Sequence, residues 1–207
     1  MLADSSWLRP RPSIAALLVT LAAASACAQP DDGTSEETSD RASQPEAAPA
    51  AGPVLASQPG SVTQRLAQAE ISVHYSRPVA RGRVLFGNLV DWDEIWAPGA
   101  DHATYLTTTA DIEVAGQPLP AGSYSIWARP GRDTWTFYFH REWDVFHLPF
   151  PGEEGVILEV TAEPVTATHM ETLSFYFPVA DRRDGVLAFH WGETRVDIPL
   201  HVPEPGD

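Results

Sequence analysis

Six side chains carry most of the chemistry this sequence offers: Arg77, Trp96, Asp101, His102, Thr104 and Trp143. Arg77 stands before Pro78 at the end of an alternating apolar run, close to the turn Arg81-Gly82-Arg83. A guanidinium placed there clamps a carboxylate or a sugar hydroxyl through its fork of N–H donors, or serves structurally by bridging loop carbonyls or Asp101. Asp101, His102 and Thr104 put an acid, a base and a hydroxyl within four residues. General acid–base catalysis uses such groups but also needs a positioned partner, and Asp101 has the alternative of capping its own loop. Trp96 and Trp143 are the tryptophans expected to be exposed, as platforms for sugar rings or apolar ligands, while most of the remaining indoles fill the core.

Other chemistries lack their patterns. The seven histidines form no HxH, HExxH or EF-hand spacing, and the single cysteine excludes a Cys-based zinc site, so neither a metal nor a cofactor is expected. There is no GxSxG nucleophile motif. No residue is assigned a catalytic role. All thirteen basic residues are arginine, and the formal net charge is −15. A surface this acidic repels phosphate backbones, which argues against nucleic acid as a partner.

The elements that position these residues read as strands. Ser61–Leu66 and Glu70–Tyr75 are two short strands, the second alternating Ile71, Val73 and Tyr75 with polar residues; a helix over Val62–Glu70 is the competing reading. Asp91–Trp96 is expected to form one helical turn capped by Asp91. Further strands fall at Ala103–Thr109 and Asp111–Val114, and a hairpin joins Tyr124–Ala128 to Thr134–His140 across Arg129–Asp133. In its second strand Trp135, Phe137 and Phe139 share one face. Val156–Ala162, Glu171–Phe177, Gly185–Trp191 and Thr194–Val202 follow, with Trp191–Thr194 as a tight turn between the last two. The sum is an all-β, antiparallel sandwich or partly closed barrel of about ten strands.

The first sixty residues are of another kind. Arg9 and Arg11 precede the apolar run Ile14–Ala24, a secretory signal too short to span a membrane. Ala24-Ser25-Ala26-Cys27 resembles a bacterial lipobox, which implies cleavage before Cys27 and a lipid on its thiol. The alternative is an ordinary cleavage that leaves Cys27 a free thiol. The stretch after it is rich in Pro, Ser, Thr, Ala and acids and has too little apolar surface to fold. The expected layout is a lipoprotein signal peptide over 1–26, a disordered tether over 27–59, the β domain over 60–203 and a tail over 204–207.

From about Ser61 to Val202 the chain resembles the bacterial domain-of-unknown-function family 2911. The resemblance rests on Tyr75-Ser76-Arg77-Pro78, Gly82-Arg83 with Phe86-Gly87, Trp92-Asp93-Glu94-Ile95-Trp96, Gly99–Thr104, Leu119–Ser125 and Trp135-Thr136-Phe137. It implies an exported, often lipid-anchored domain and no established activity. Ala97 departs from the family's usual Arg, and Asp101-His102 from its usual Asn-Glu. The function expected is that of a lipoprotein of the cell envelope, anchored to the membrane through Cys27. Its sandwich binds an envelope ligand, carbohydrate being one possibility, without catalysis. The alternatives are an envelope hydrolase using Asp101, His102 and Arg77, or a purely structural module.

Overall fold

The computed structural model describes residues 55–204. The signal peptide, Cys27 and the tether up to residue 54 lie outside them, as do residues 205–207. The described chain opens with a hairpin of β1 (Gln58–Leu66) and β2 (Ala69–Arg77), which begins two residues before the sequence-based boundary at residue 60. In β2 the side chains of Ile71, Val73 and Tyr75 are buried and those between them only partly so. The helical alternative over Val62–Glu70 does not form: that stretch is the end of β1, a two-residue turn and the start of β2, and β1 itself alternates exposed with less exposed side chains.

The remaining strands are β3 (Tyr105–Thr108), β4 (Ile112–Val114), β5 (Gln117–Leu119), β6 (Gly122–Pro130), β7 (Trp135–His140), β8 (Val156–Ala162), β9 (Pro164–Asp181) and β10 (Asp184–His201). They form a six-stranded sheet in the order β1-β2-β3-β6-β7-β8 and a four-stranded sheet in the order β5-β4-β10-β9. All of these strand pairings are antiparallel. The two sheets face each other as a sandwich that does not close into a barrel. Among the described residues the only helix is a 3-10 turn at Glu153–Gly155.

Between the sheets lies a core that includes Ile71, Val73, Leu106, Trp135, Phe137, Phe139, Phe175, Phe189 and Trp191. The expected register of β7 is present: Trp135, Phe137 and Phe139 are fully buried on that face. Its opposite face is buried too. Tyr138 packs with Ala97, Ala103 and Trp127 in a second cluster, to which Ile95, Val145 and Phe150 add partly buried contacts. The long loops at 91–104 and 141–155 therefore lie over the outer face of the larger sheet as a third, irregular layer.

Three expectations need correction. Asp91–Trp96 forms no helical turn; it is an irregular loop with a turn at Trp92-Asp93, and its Trp96 pairs with Ala128 as an antiparallel bridge. Trp191–Thr194 is not a turn but the middle of β10, which runs unbroken for 18 residues. The pairing with β9 shifts register on both sides of Gly192, whose φ is 60°, so the glycine serves a bulge. A Cβ at that position would stand 2.7 Å from Leu85 Cδ1, a second reason for glycine. Finally, Gln117–Leu119 is a short strand where no strand was expected. The count of ten survives because this gain offsets the fusion of two expected strands into β10.

Candidate functional site

Pro78 ends β2, and the chain then crosses to the other sheet. Val79 forms a bridge with Thr172, Ala80 N–H donates to Glu171 O at 2.7 Å, and Leu173 N–H donates to Pro78 O at 2.9 Å. Residues 78–80 thus lie along the outer edge of β9. Immediately beyond, Arg83 folds back on this segment, Nε donating to Ala80 O at 2.9 Å and Nη2 to Val79 O at 2.6 Å. Both acceptors are neutral carbonyls, so the guanidinium is fixed in place while its charge is not cancelled by a bonded carboxylate. The Arg81 guanidinium makes no hydrogen bond or ion pair among the described residues, although its backbone N–H donates to Glu171 Oε1 at 2.7 Å.

Glu171 is the acid nearest these cations, and it is engaged. Its second oxygen accepts from His169 Nε2 at 2.8 Å. That bond first, then the Arg81 amide and the charges of His169 and Arg83, hold its carboxyl below the usual range.

Farther along the loop, Phe86 inserts edge-on among Trp96, Trp135, Phe189 and Trp191, at centroid distances of 6.2, 4.9, 6.4 and 6.3 Å. Trp96 is held by two reciprocal backbone bonds to Ala128, both 2.8 Å, and its ring lies nearly parallel to that of Trp191, 6.2 Å away. These elements enclose a cleft of about 330 Å³. Trp96, Trp191 and Val90 supply apolar surface, Arg81 and Arg83 the cationic side, and Leu89 and Leu148 two exposed apolar residues at the rim. His147 completes the wall. Its Nδ1 faces Asp101 O at 2.6 Å, and because a carbonyl only accepts, that nitrogen carries the proton and Nε2 remains available. No Asp or Glu is among the described residues that line the cleft.

A second concavity, about 240 Å³, lies on the outer face of the larger sheet and is lined by His74, His102 and Tyr105 among others. The Tyr105 ring stacks on His74 at 4.8 Å and contacts Trp143 at 5.0 Å. His102 Nε2 pairs with Asp144 Oδ1 at 2.9 Å, and its Nδ1 lies 3.1 Å from Ala103 O.

The six residues singled out from sequence are therefore divided. Trp96 lines the cleft; His102 lines the outer groove and Trp143, 39% exposed, stands against its Tyr105. Thr104 is fully buried and donates to Pro98 O, with Gly99 packed so closely that an added Cβ would come within 2.8 Å of its hydroxyl and 3.4 Å of Ser76 O. The 96–104 segment lies against the end of β2, where Gly99 meets the Ser76 backbone. The expected ion pair does not follow: Arg77 turns to the other sheet, Nε donating to Leu173 O at 3.4 Å and Nη2 to Ser174 Oγ at 3.1 Å. Asp101 is exposed at φ 60°, and its backbone carbonyl, which accepts from both the amide and the ring of His147, carries its role. Arg81, Arg83, His147 and Trp191 complete the cleft without having been singled out. The signal available for two of them was the crowding of three arginines into residues 77–83 of a strongly acidic chain.

Among the described residues no three His, Cys, Asp or Glu side chains gather as a metal site would require. Fold and site define an antiparallel β-sandwich with an aromatic-floored cleft at one sheet edge. The chain belongs to the family described as protein of unknown function (DUF2911), whose family model matches residues 57–200. Searches of curated proteins and of solved structures found no match.

Proposed function

We propose that the protein is a lipoprotein of the cell envelope whose β-sandwich seats a small ligand in the cleft between Trp96, Trp191 and the 78–83 segment, without converting it. The observation that carries this reading is the cleft itself. Its volume of about 330 Å³ falls at the lower end of small-molecule sites, roughly 300–1,000 Å³, and it combines an apolar floor with a few convergent polar groups. The groups an envelope hydrolase would use are dispersed, with Arg77 on β9, His102 on Asp144 and the Asp101 side chain at the surface. A sugar ring is one class of ligand that stacked indoles accept.

Two measurements test the parts separately. Palmitate labelling in cells should mark the wild type and not Cys27→Ala; equal labelling of both, or of neither, removes the anchor. Titration of the purified full chain with glucose, N-acetylglucosamine and 1-octanol, followed by tryptophan emission, should give saturable binding of at least one that is weakened in Trp96→Ala. If none binds, or if Trp96→Ala binds unchanged, the cleft is not the site.

A further inference from the structure

We infer that the cleft selects an amphipathic anion, a carboxylate or phosphate head on an apolar body, in preference to a neutral ligand of the same shape; this rests on the cleft being the binding site. The argument begins with charge. In a chain of net charge −15, a concavity lined, among the described residues, by two arginines and by no carboxylate is a local reversal of sign. Low-dielectric walls concentrate such a field at the cleft.

The two cations are complementary in kind. Arg83 has spent two of its five N–H donors on the carbonyls of Val79 and Ala80, which fixes the plane of the guanidinium before any ligand arrives. The remaining donors have the fork geometry that carboxylates and phosphates accept. Arg81 has no internal partner for its guanidinium among the described residues, so it is free to close on a bound anion. Glu171, the nearest acid, acts on Arg83 through space but bonds to neither guanidinium, accepting instead from the Arg81 amide and from His169. A fixed cation bonded only to carbonyls keeps its remaining N–H donors for an external partner.

The other half of the cleft fits a different chemistry. Trp96 offers carbon surface over a floor closed by the buried Trp191 and Val90, and Leu89 and Leu148 at the rim are 42% and 56% exposed. Exposed apolar side chains beside arginines with open N–H donors match a ligand with a charged head and an apolar body. A free inorganic anion would leave these surfaces wet, and a neutral hydrocarbon would leave the guanidinium donors unmatched.

The test uses the purified full chain and four probes: octanoate, octyl phosphate, 1-octanol and inorganic phosphate, followed by calorimetry and tryptophan emission. Octanoate or octyl phosphate should bind about tenfold or more tightly than 1-octanol, with inorganic phosphate weaker than either amphiphile. The preferred amphiphile identifies the head as carboxylate or phosphate. The preference over octanol should shrink with added salt and fall toward one in Arg81→Gln, a change that removes no internal bond of the guanidinium. Arg83→Lys, which keeps the charge and loses the fork, should reduce it as well.

Equal affinity for octanol and the anions, or a preference unchanged in Arg81→Gln, overturns the selectivity while leaving the cleft as a site. Tight binding of inorganic phosphate alone replaces the amphiphile with a simple anion and also overturns the inference. Failure of all four probes overturns it too, and the sugar titration then decides whether the cleft binds anything.

Discussion

The edge cleft and the outer groove are built from the same materials, aromatic rings beside ionisable side chains, yet they dispose of charge in opposite ways. In the groove, His102 and Asp144 face each other at 2.9 Å at the protein surface, so the imidazole and the carboxylate complete one another. In the cleft, Arg83 is held by two carbonyls and the Arg81 guanidinium by nothing described. An ionic group that has found its opposite is finished structurally. One that is anchored through neutral acceptors is rigid and still unpaired, which is the condition for recognising something that comes from outside.

The comparison can be broken from its foundation outward. Trp135 is fully buried beneath Phe86, so Trp135→Ala should cost about 3–5 kcal/mol in urea unfolding and should disturb the cleft before the groove. A loss within about 0.5 kcal/mol, the range of surface positions, would place that face of β7 outside the core. Arg77→Ala comes next. It removes the bonds that join the end of β2 to Leu173 and Ser174, and a loss of about 1–3 kcal/mol is expected. Because Asp101 shares none of those partners, adding Asp101→Ala should be additive to within about 0.5 kcal/mol; stronger coupling would mean that the two side chains pair after all. The smallest effect belongs to the groove. With side chains 45% and 79% exposed, the His102–Asp144 pair should yield no more than about 1 kcal/mol on Asp144→Asn, less at high salt. A larger, salt-independent loss would show that the groove's charges are not solvated ones.

What could be read from sequence followed the reach of the forces involved. The alternation in Ile71-Ser72-Val73-His74-Tyr75 and in Trp135–Phe139 records which face of a strand meets the core, and both registers were legible. The first half of β9 was not. Its residues 164–170 are exposed or half-exposed on both faces, so no apolar period marks them. Gly192 misled because a tight turn and a bulge ask for the same left-handed backbone, and sequence alone does not tell which is meant. Misplacing a turn there hid Trp191, since a residue at a turn is not expected at the floor of a cleft. Arg77 was legible as a residue needing a partner, but the acid named for it, Asp101 on a following loop, was not the group it meets. The actual partners lie nearly a hundred positions away across the sandwich.

The 78–80 segment has one more consequence, which concerns how the molecule meets its own copies. β9 is an edge strand of 18 residues, and an edge of that length, left open, is a template on which another chain can add its own strand. Here Pro78, Val79 and Ala80 occupy the middle of that edge with backbone bonds of their own. The same few residues that form a wall of the cleft and hold Arg83 are thus a guard against aggregation. Loosening them to widen the cleft would expose backbone donors and acceptors that the protein otherwise keeps covered, so freedom to vary this wall is limited by solubility as well as by recognition.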